Sequence, residues 1–265
     1  MAAWRLEVDI GEDDWVNSKQ QTPLHGAKLA VCDPKAWLLL ITIYGFTSSG
    51  TVTTFFPTVV KGLGYGDVTT LLLTAPPYVI AVGAVLTNAW HADRSRERYL
   101  HVALPPVIGV ISFIIAATTT KFAPRYLAMC LMVGSTYSGY VVALAWISNV
   151  LPRPATKRAA ALAGINALSN VCQIYSPFLY PASAGPRYVV AFGVNCGMSC
   201  ISVIFATVLR FVLSHLNKEI EKGIHNETNA KIRGDRTAEH NARKMSIENR
   251  GLPGEAVDRG FRFLL

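Results

Sequence analysis

Residues 91–120 read HADRSRERYLHVALPPVIGVISFIIAATTT, and this stretch decides the fold. An octet with three arginines and two carboxylates gives way at once to a run without a single ionised side chain apart from His101. A bilayer core about 30 Å thick needs roughly 20 apolar residues in helical form. The run meets that length, and the charged octet is the loop that precedes it. Working outward, five further stretches have the same character. The expected spans are 36–60, 68–90, 100–120, 126–150, 159–180 and 188–213, and none contains a lysine or a carboxylate.

The charge distribution agrees. Residues 1–35 carry four Lys/Arg against six Asp/Glu, residues 214–265 carry ten against eight, and the stretch between carries eleven against three. Only 16% of the 265 residues are charged, against roughly 25% in an ordinary soluble domain. The fold class expected is therefore an all-α polytopic membrane protein of six transmembrane helices. A cytoplasmic linker (1–35) precedes the membrane domain (36–213), and a cytoplasmic tail (214–265) follows it as a helical extension and then disorder. The net charge of +8 does not mark a nucleic-acid binder, because the basic residues sit between apolar runs and form no continuous stripe.

Loop charge orients the bundle. Arg94, Arg96 and Arg98 follow the second span, and Arg153, Lys157 and Arg158 follow the fourth. The opposite side offers Lys61, Lys121, Arg125 and Arg187. Basic loops stay on the cytoplasmic side, so both termini are expected there. The sequon at Asn226-Glu227-Thr228 then never meets the glycosylation machinery.

Catalytic chemistry inside a bilayer needs ionisable groups there. No span carries a histidine pair, paired carboxylates, or a lysine beside a serine. The five cysteines show no metal-ligand spacing. An enzyme, a metal site and a cofactor are not expected.

The polar residues inside the spans fall on faces. Asn166, Asn170 and Gln173 lie within about 60° of one another at 100° per residue. A side-chain amide in hydrocarbon is costly unless paired, so this stripe faces protein or a water-filled cavity. Tyr44, Ser48 and Thr51, with Phe55, form a similar stripe on the first span, and Tyr137 and Tyr140 lie on the fourth. They are the candidate substrate contacts; bonding between helices is the alternative use of the same groups. Asp93, Arg94, Arg96 and Arg98 are candidate gating residues, with Asp93 able to pair with an arginine or cap a helix. Small residues at four-residue spacing (Gly45 and Ser49, Gly134 and Ser138, Gly139 and Ala143, Gly193 and Gly197) suit close helix crossings. Pro76-Pro77 marks a kink in the second span.

Four stretches carry a family resemblance. They are Trp4-Arg5-Leu6-Glu7 through Asp33-Pro34-Lys35-Ala36-Trp37, the run from Phe55 to Tyr65, the octet around Asp93-Arg94, and Trp146-Ile147-Ser148-Asn149-Val150 followed by Lys157-Arg158 and Gly164-Ile165-Asn166. They resemble the major facilitator superfamily, and more narrowly the fungal allantoate permease family of anion:cation symporters. The resemblance implies twelve helices in two six-helix halves, of which this chain supplies the C-terminal one. It implies a small organic anion or vitamin-like nutrient, a co-transported proton, alternating access and a plasma-membrane location. The expected partners are the lipid bilayer, the solute, and either an N-terminal six-helix half or a second copy. A non-transporting fragment or regulatory partner of a full-length permease is the other class.

Overall fold

The computed structural model describes residues 22–61, 66–119, 121–185, 187–233 and 263–264. The expectations for residues 4–7, 62–65 and 251–254 lie outside these.

Every long element is a helix. In chain order they are α1 (Pro23–Cys32), α2 (Pro34–Gly50), α3 (Phe56–Lys61), α4 (Asp67–Ser95), α5 (Tyr99–Thr118), α6 (Phe122–Val150), α7 (Ala155–Ser169), α8 (Cys172–Leu179) and α9 (Val189–Arg233). A 3₁₀ turn at Thr51–Thr53 separates α2 from α3. Five helices among the described residues are long and apolar enough to cross a membrane. The fifth expected span is not continuous: α7 ends at Ser169 and α8 begins at Cys172. The cause is local. Gln173 and Ile174 donate to the carbonyls of Asn170 and Val171, three residues back, where an α-helix bonds four back. The linker is also partly helical, through α1. The Pro76-Pro77 pair lies inside α4 without ending it. Asp93 and Arg94 belong to the last turn of α4, not to a loop.

Because the helices alternate in direction, one end of the bundle, the Asp33 end, gathers Asp33, the α4–α5 turn, the α6–α7 turn and the middle of α9. The opposite end gathers Thr51–Thr53, the start of α6 and the segment around Tyr180.

Two apolar cores hold the bundle. One centres on Leu39, Ile43, Phe46, Trp146 and Leu209, the other on Phe56, Phe113, Met129, Met132 and Phe192. Large apolar side chains cover the outside of α4 and α5, among them Leu72, Val79, Leu86, Leu104 and Ile111. In water they would be a liability; against acyl chains they are the matching surface. Helix α9 packs on α2 and α5, while α4 packs on α6.

Of the small-residue pairs, two mark close crossings. A Cβ on Gly45 would lie 2.6 Å from the Met198 carbonyl oxygen. One on Gly139 would overlap the Phe46 ring. A Cβ added at Gly193 or Gly197 would meet nothing within 4 Å, so that pair marks no crossing among the described residues.

Candidate functional site

Helix α2 is launched by Asp33. Its carboxylate accepts the Lys35 amide at 2.9 Å, an N-cap followed by Pro34 at the first helical position. The same carboxylate takes the Lys157 ammonium of α7 at 2.7 Å and the Lys35 ammonium at 3.7 Å. This cluster fixes where α2 and α7 start, and so how their polar faces meet.

Further along α2, Tyr44 and Ser48 face α8. The Tyr175 hydroxyl lies 2.7 Å from Ser48 Oγ and 3.4 Å from the Tyr44 hydroxyl. Thr47 donates to the Ser169 carbonyl at 3.0 Å. The broken ladder between α7 and α8 leaves that carbonyl without its usual amide donor, and a hydroxyl from α2 replaces it.

The amide stripe gathers at the same break. Asn170 Nδ2 donates to the Asn166 carbonyl at 2.8 Å and to Asn166 Oδ1 at 3.1 Å. Tyr140 of α6 donates to Asn166 Oδ1 at 3.4 Å. Asn166, Asn170 and Gln173 are all exposed. The structure therefore brings Tyr44, Tyr140, Asn166 and Asn170 together around one discontinuous helix, while Ser48, expected as a contact, is fully buried and braces Tyr175 from behind. Gln173 stays on that face but its side chain bonds only with Ser176, at 3.4 Å, among the contacts described.

Two expected contacts lie elsewhere. Thr51 is fully buried and its hydroxyl returns to the Ser48 carbonyl at 2.7 Å, so it offers nothing to the open face. The 3₁₀ turn that begins at Thr51 advances about 120° per residue and takes it off the α2 stripe. Tyr137 is exposed and donates to Thr53 Oγ1 at 3.4 Å, apart from the Tyr140 group. Tyr78 also reaches Thr53, through its carbonyl at 3.3 Å.

The sequence reading missed Tyr175, Thr47 and Thr53. No periodic signal identifies Tyr175, because the helix break changes the register between it and Asn166.

At the Asp33 end, Asp93 pairs with Arg98. Arg94 lies over the Trp90 ring, 5.6 Å from its centre. Arg96 adopts the left-handed conformation, φ 53°, that closes α4. Beside them, His91 Nδ1 lies 2.6 Å from His101 Nε2. The expectation that no span carries a histidine pair holds for each helix singly; α4 and α5 build one between them. Asn88 braces it, donating to the carbonyls of His101 and Ser138 at 3.0 and 3.1 Å. These side chains close one end of a cleft of about 660 Å³ between α4, α5 and α6.

Among the described residues no group of three metal-ligating side chains is present, and all five cysteines are free thiols.

Lipid-facing apolar helices around a polar, discontinuous helix define the class: an all-helical, multi-pass membrane protein with a hydroxyl- and amide-lined face. Within that class the chain is similar to fungal transporters of the major facilitator type. It is 25% identical to an uncharacterised transporter of Schizosaccharomyces pombe over 79% of this chain and 41% of the relative. It is 25% identical to the MFS transporter prlL of a fungal species over 83% and 44%, and 25% identical to the high-affinity nicotinic acid transporter of Saccharomyces cerevisiae over 76% and 37%. The chain thus spans about two-fifths of the length of the curated relatives it matches. The relatives are named as transporters, not enzymes. No family model matches the chain, and no solved structure matches it.

Proposed function

We propose that this chain forms one half of a major facilitator transporter for a small organic anion or vitamin-like nutrient, with its polar face as one wall of the solute path. The observation that carries the reading is the break between α7 and α8, flanked by Tyr140, Asn166 and Asn170 on one side and by Tyr44 and Tyr175, the latter braced by buried Ser48, on the other. Discontinuous helices at solute sites are a recurrent device of secondary transporters, since unwound backbone is tolerated only where it lines a cavity or is buried in protein. The four sequence stretches that resemble the anion:cation symporters support the organic-anion assignment. So does similarity to a transporter named for nicotinic acid. Alternating access requires a second six-helix unit facing this one: an N-terminal half or a second copy. Proton coupling and plasma-membrane location follow from the same resemblance. The alternative is a non-transporting fragment or regulatory partner of a full-length permease.

A chimera tests the transport reading. This chain is joined behind the N-terminal half of the nicotinic acid transporter, and uptake of radiolabelled nicotinate and other small carboxylates is measured in cells lacking that activity. Uptake above background is expected. A stably inserted chimera that moves no carboxylate would favour the non-transporting reading. In an active chimera, Tyr175→Phe and Asn166→Ala are each expected to raise KM about tenfold, equivalent to about 1.4 kcal/mol. Thr51→Val, altering a hydroxyl turned back on its own helix, should change KM less than about twofold.

Orientation is tested separately. With the Asp33 end cytoplasmic, the exposed thiol of Cys32 reacts with a membrane-impermeant maleimide only after cells are permeabilised. Labelling of Cys32 in intact cells would reverse the assignment.

A further inference from the structure

Phe263 and Leu264 rest against the Asp33 end, far in sequence from the described residues they touch there. The Phe263 amide donates to Asn217 Oδ1 at 2.9 Å, and Asn217 Nδ2 donates to the Phe263 carbonyl at 3.0 Å. Trp146 Nε1 donates to the Leu264 carbonyl at 3.1 Å. The Phe263 ring is buried, 4% exposed, with the Lys35 ammonium 5.0 Å from its centre. A cavity of about 430 Å³ continues beside it, lined by Leu29, Val150, Pro152, Val212 and Leu216.

We propose that this cleft is a peptide-recognition site whose resident ligand is the chain's own Phe263-Leu264 segment. Asn217 reads both the donor and the acceptor of one residue, as a neighbouring β-strand would. Trp146 is fully buried, and a buried indole N–H needs an acceptor; the peptide carbonyl supplies it. The aromatic ring fills the apolar part of the cleft beneath a cation. The occupant therefore has a defined chemistry: a backbone amide and carbonyl on a residue with an aromatic side chain, followed by a carbonyl one residue on. Its contacts come from α2 (Lys35), α6 (Trp146) and α9 (Asn217), so the bound segment clasps three helices at one end. Motion that parts α2 from α9 there takes the Lys35 ammonium off the Phe263 ring. The inference is independent of which solute, if any, the protein moves.

Hydrogen exchange on the full chain in nanodiscs tests the clasp. The Phe263 amide is expected to exchange at least about tenfold more slowly than in a free peptide of residues 259–265. Asn217→Ala should return it to the free rate. Asn217→Asp keeps the acceptor and loses the donor, and should fall between. In a second measurement, the same peptide carrying a fluorophore binds the Phe263→Ala chain and is excluded from the intact chain, where the tethered segment holds the cleft at high effective concentration. Two results overturn the proposal: free-rate exchange of the Phe263 amide in the intact chain, or no peptide binding to a Phe263→Ala chain that melts like the unaltered one.

Discussion

A Gly45→Leu chain is expected to show no cooperative melting transition in detergent, whereas a Gly193→Leu chain melts within a few degrees of the unaltered protein. Both glycines belong to small-residue pairs at four-residue spacing, and in sequence they are equivalent. Their surroundings are not. At Gly45, α2 crosses α9 so closely that an added Cβ would lie 2.6 Å from the Met198 carbonyl oxygen, 2.8 Å from Ser202 Cβ and 3.2 Å from Ser202 N. Two of those atoms are backbone and cannot swing aside. The crossing is also pinned by Ser202 Oγ, which donates to the Thr42 carbonyl at 2.9 Å. One methyl overpacks the seam at about 1–3 kcal/mol. A leucine forces the two helices apart, loses that bond and opens the Leu39–Ile43–Phe46 core, a loss above about 4 kcal/mol. At Gly193 an added Cβ meets nothing within 4 Å among the described residues, so a side chain there has room to point away from the bundle. Fluorescence-detected size exclusion after heating reads both variants. A Gly45→Leu chain as stable as its parent would mean that α2 and α9 do not cross here.

The helical bundle was legible because the rule behind it is coarse. Charge is excluded from hydrocarbon, so runs without charge mark helices, and five of the six expected runs correspond to long apolar helices. The sixth looked the same in composition. Nothing in residues 159–180 before Pro177 breaks a helix by type; there is no proline, and the glycine at 164 lies inside α7. At the break at Asn170–Val171, Asn170 turns its amide back on Asn166, a local bond, and Thr47 captures the Ser169 carbonyl, a bond that only the fold supplies. A stripe drawn at 100° per residue thus found Asn166 and Asn170 but could not find Tyr175. The same assumption carried Thr51 onto the α2 face, where the 3₁₀ turn removes it. The His91–His101 pair was hidden for a different reason: α4 runs on past Trp90 to Ser95, and the extra turn brings His91 round to α5.

Asp33→Ala is expected to lower the melting free energy by about 2–4 kcal/mol, the second largest effect of a single side chain here. Asp33 is 9% exposed and its partner Lys157 17%, so water screens the pair poorly. Removing the carboxylate takes away three interactions at once. The Lys35 amide loses its cap, worth about 1 kcal/mol. The Lys157 and Lys35 ammonium groups, formerly 2.7 and 3.7 Å from one oxygen, are left in a shielded corner without that counterion. Truncating one partner of a buried pair costs about 3–5 kcal/mol, and the partial exposure of these lysines discounts that figure. Asp33→Asn should cost less, because the amide oxygen still caps α2. Lys157→Ala should cost least, because Asp33 keeps Lys35 and its backbone bond. The order Asp33→Ala, then Asp33→Asn, then Lys157→Ala separates this account from simple loss of a surface charge, for which all three variants would differ by less than about 1 kcal/mol. The double variant Asp33→Ala with Lys157→Ala should be less destabilised than the sum of the singles, since the stranded lysine is gone. A strictly additive double would show that Asp33 and Lys157 do not hold α2 and α7 together.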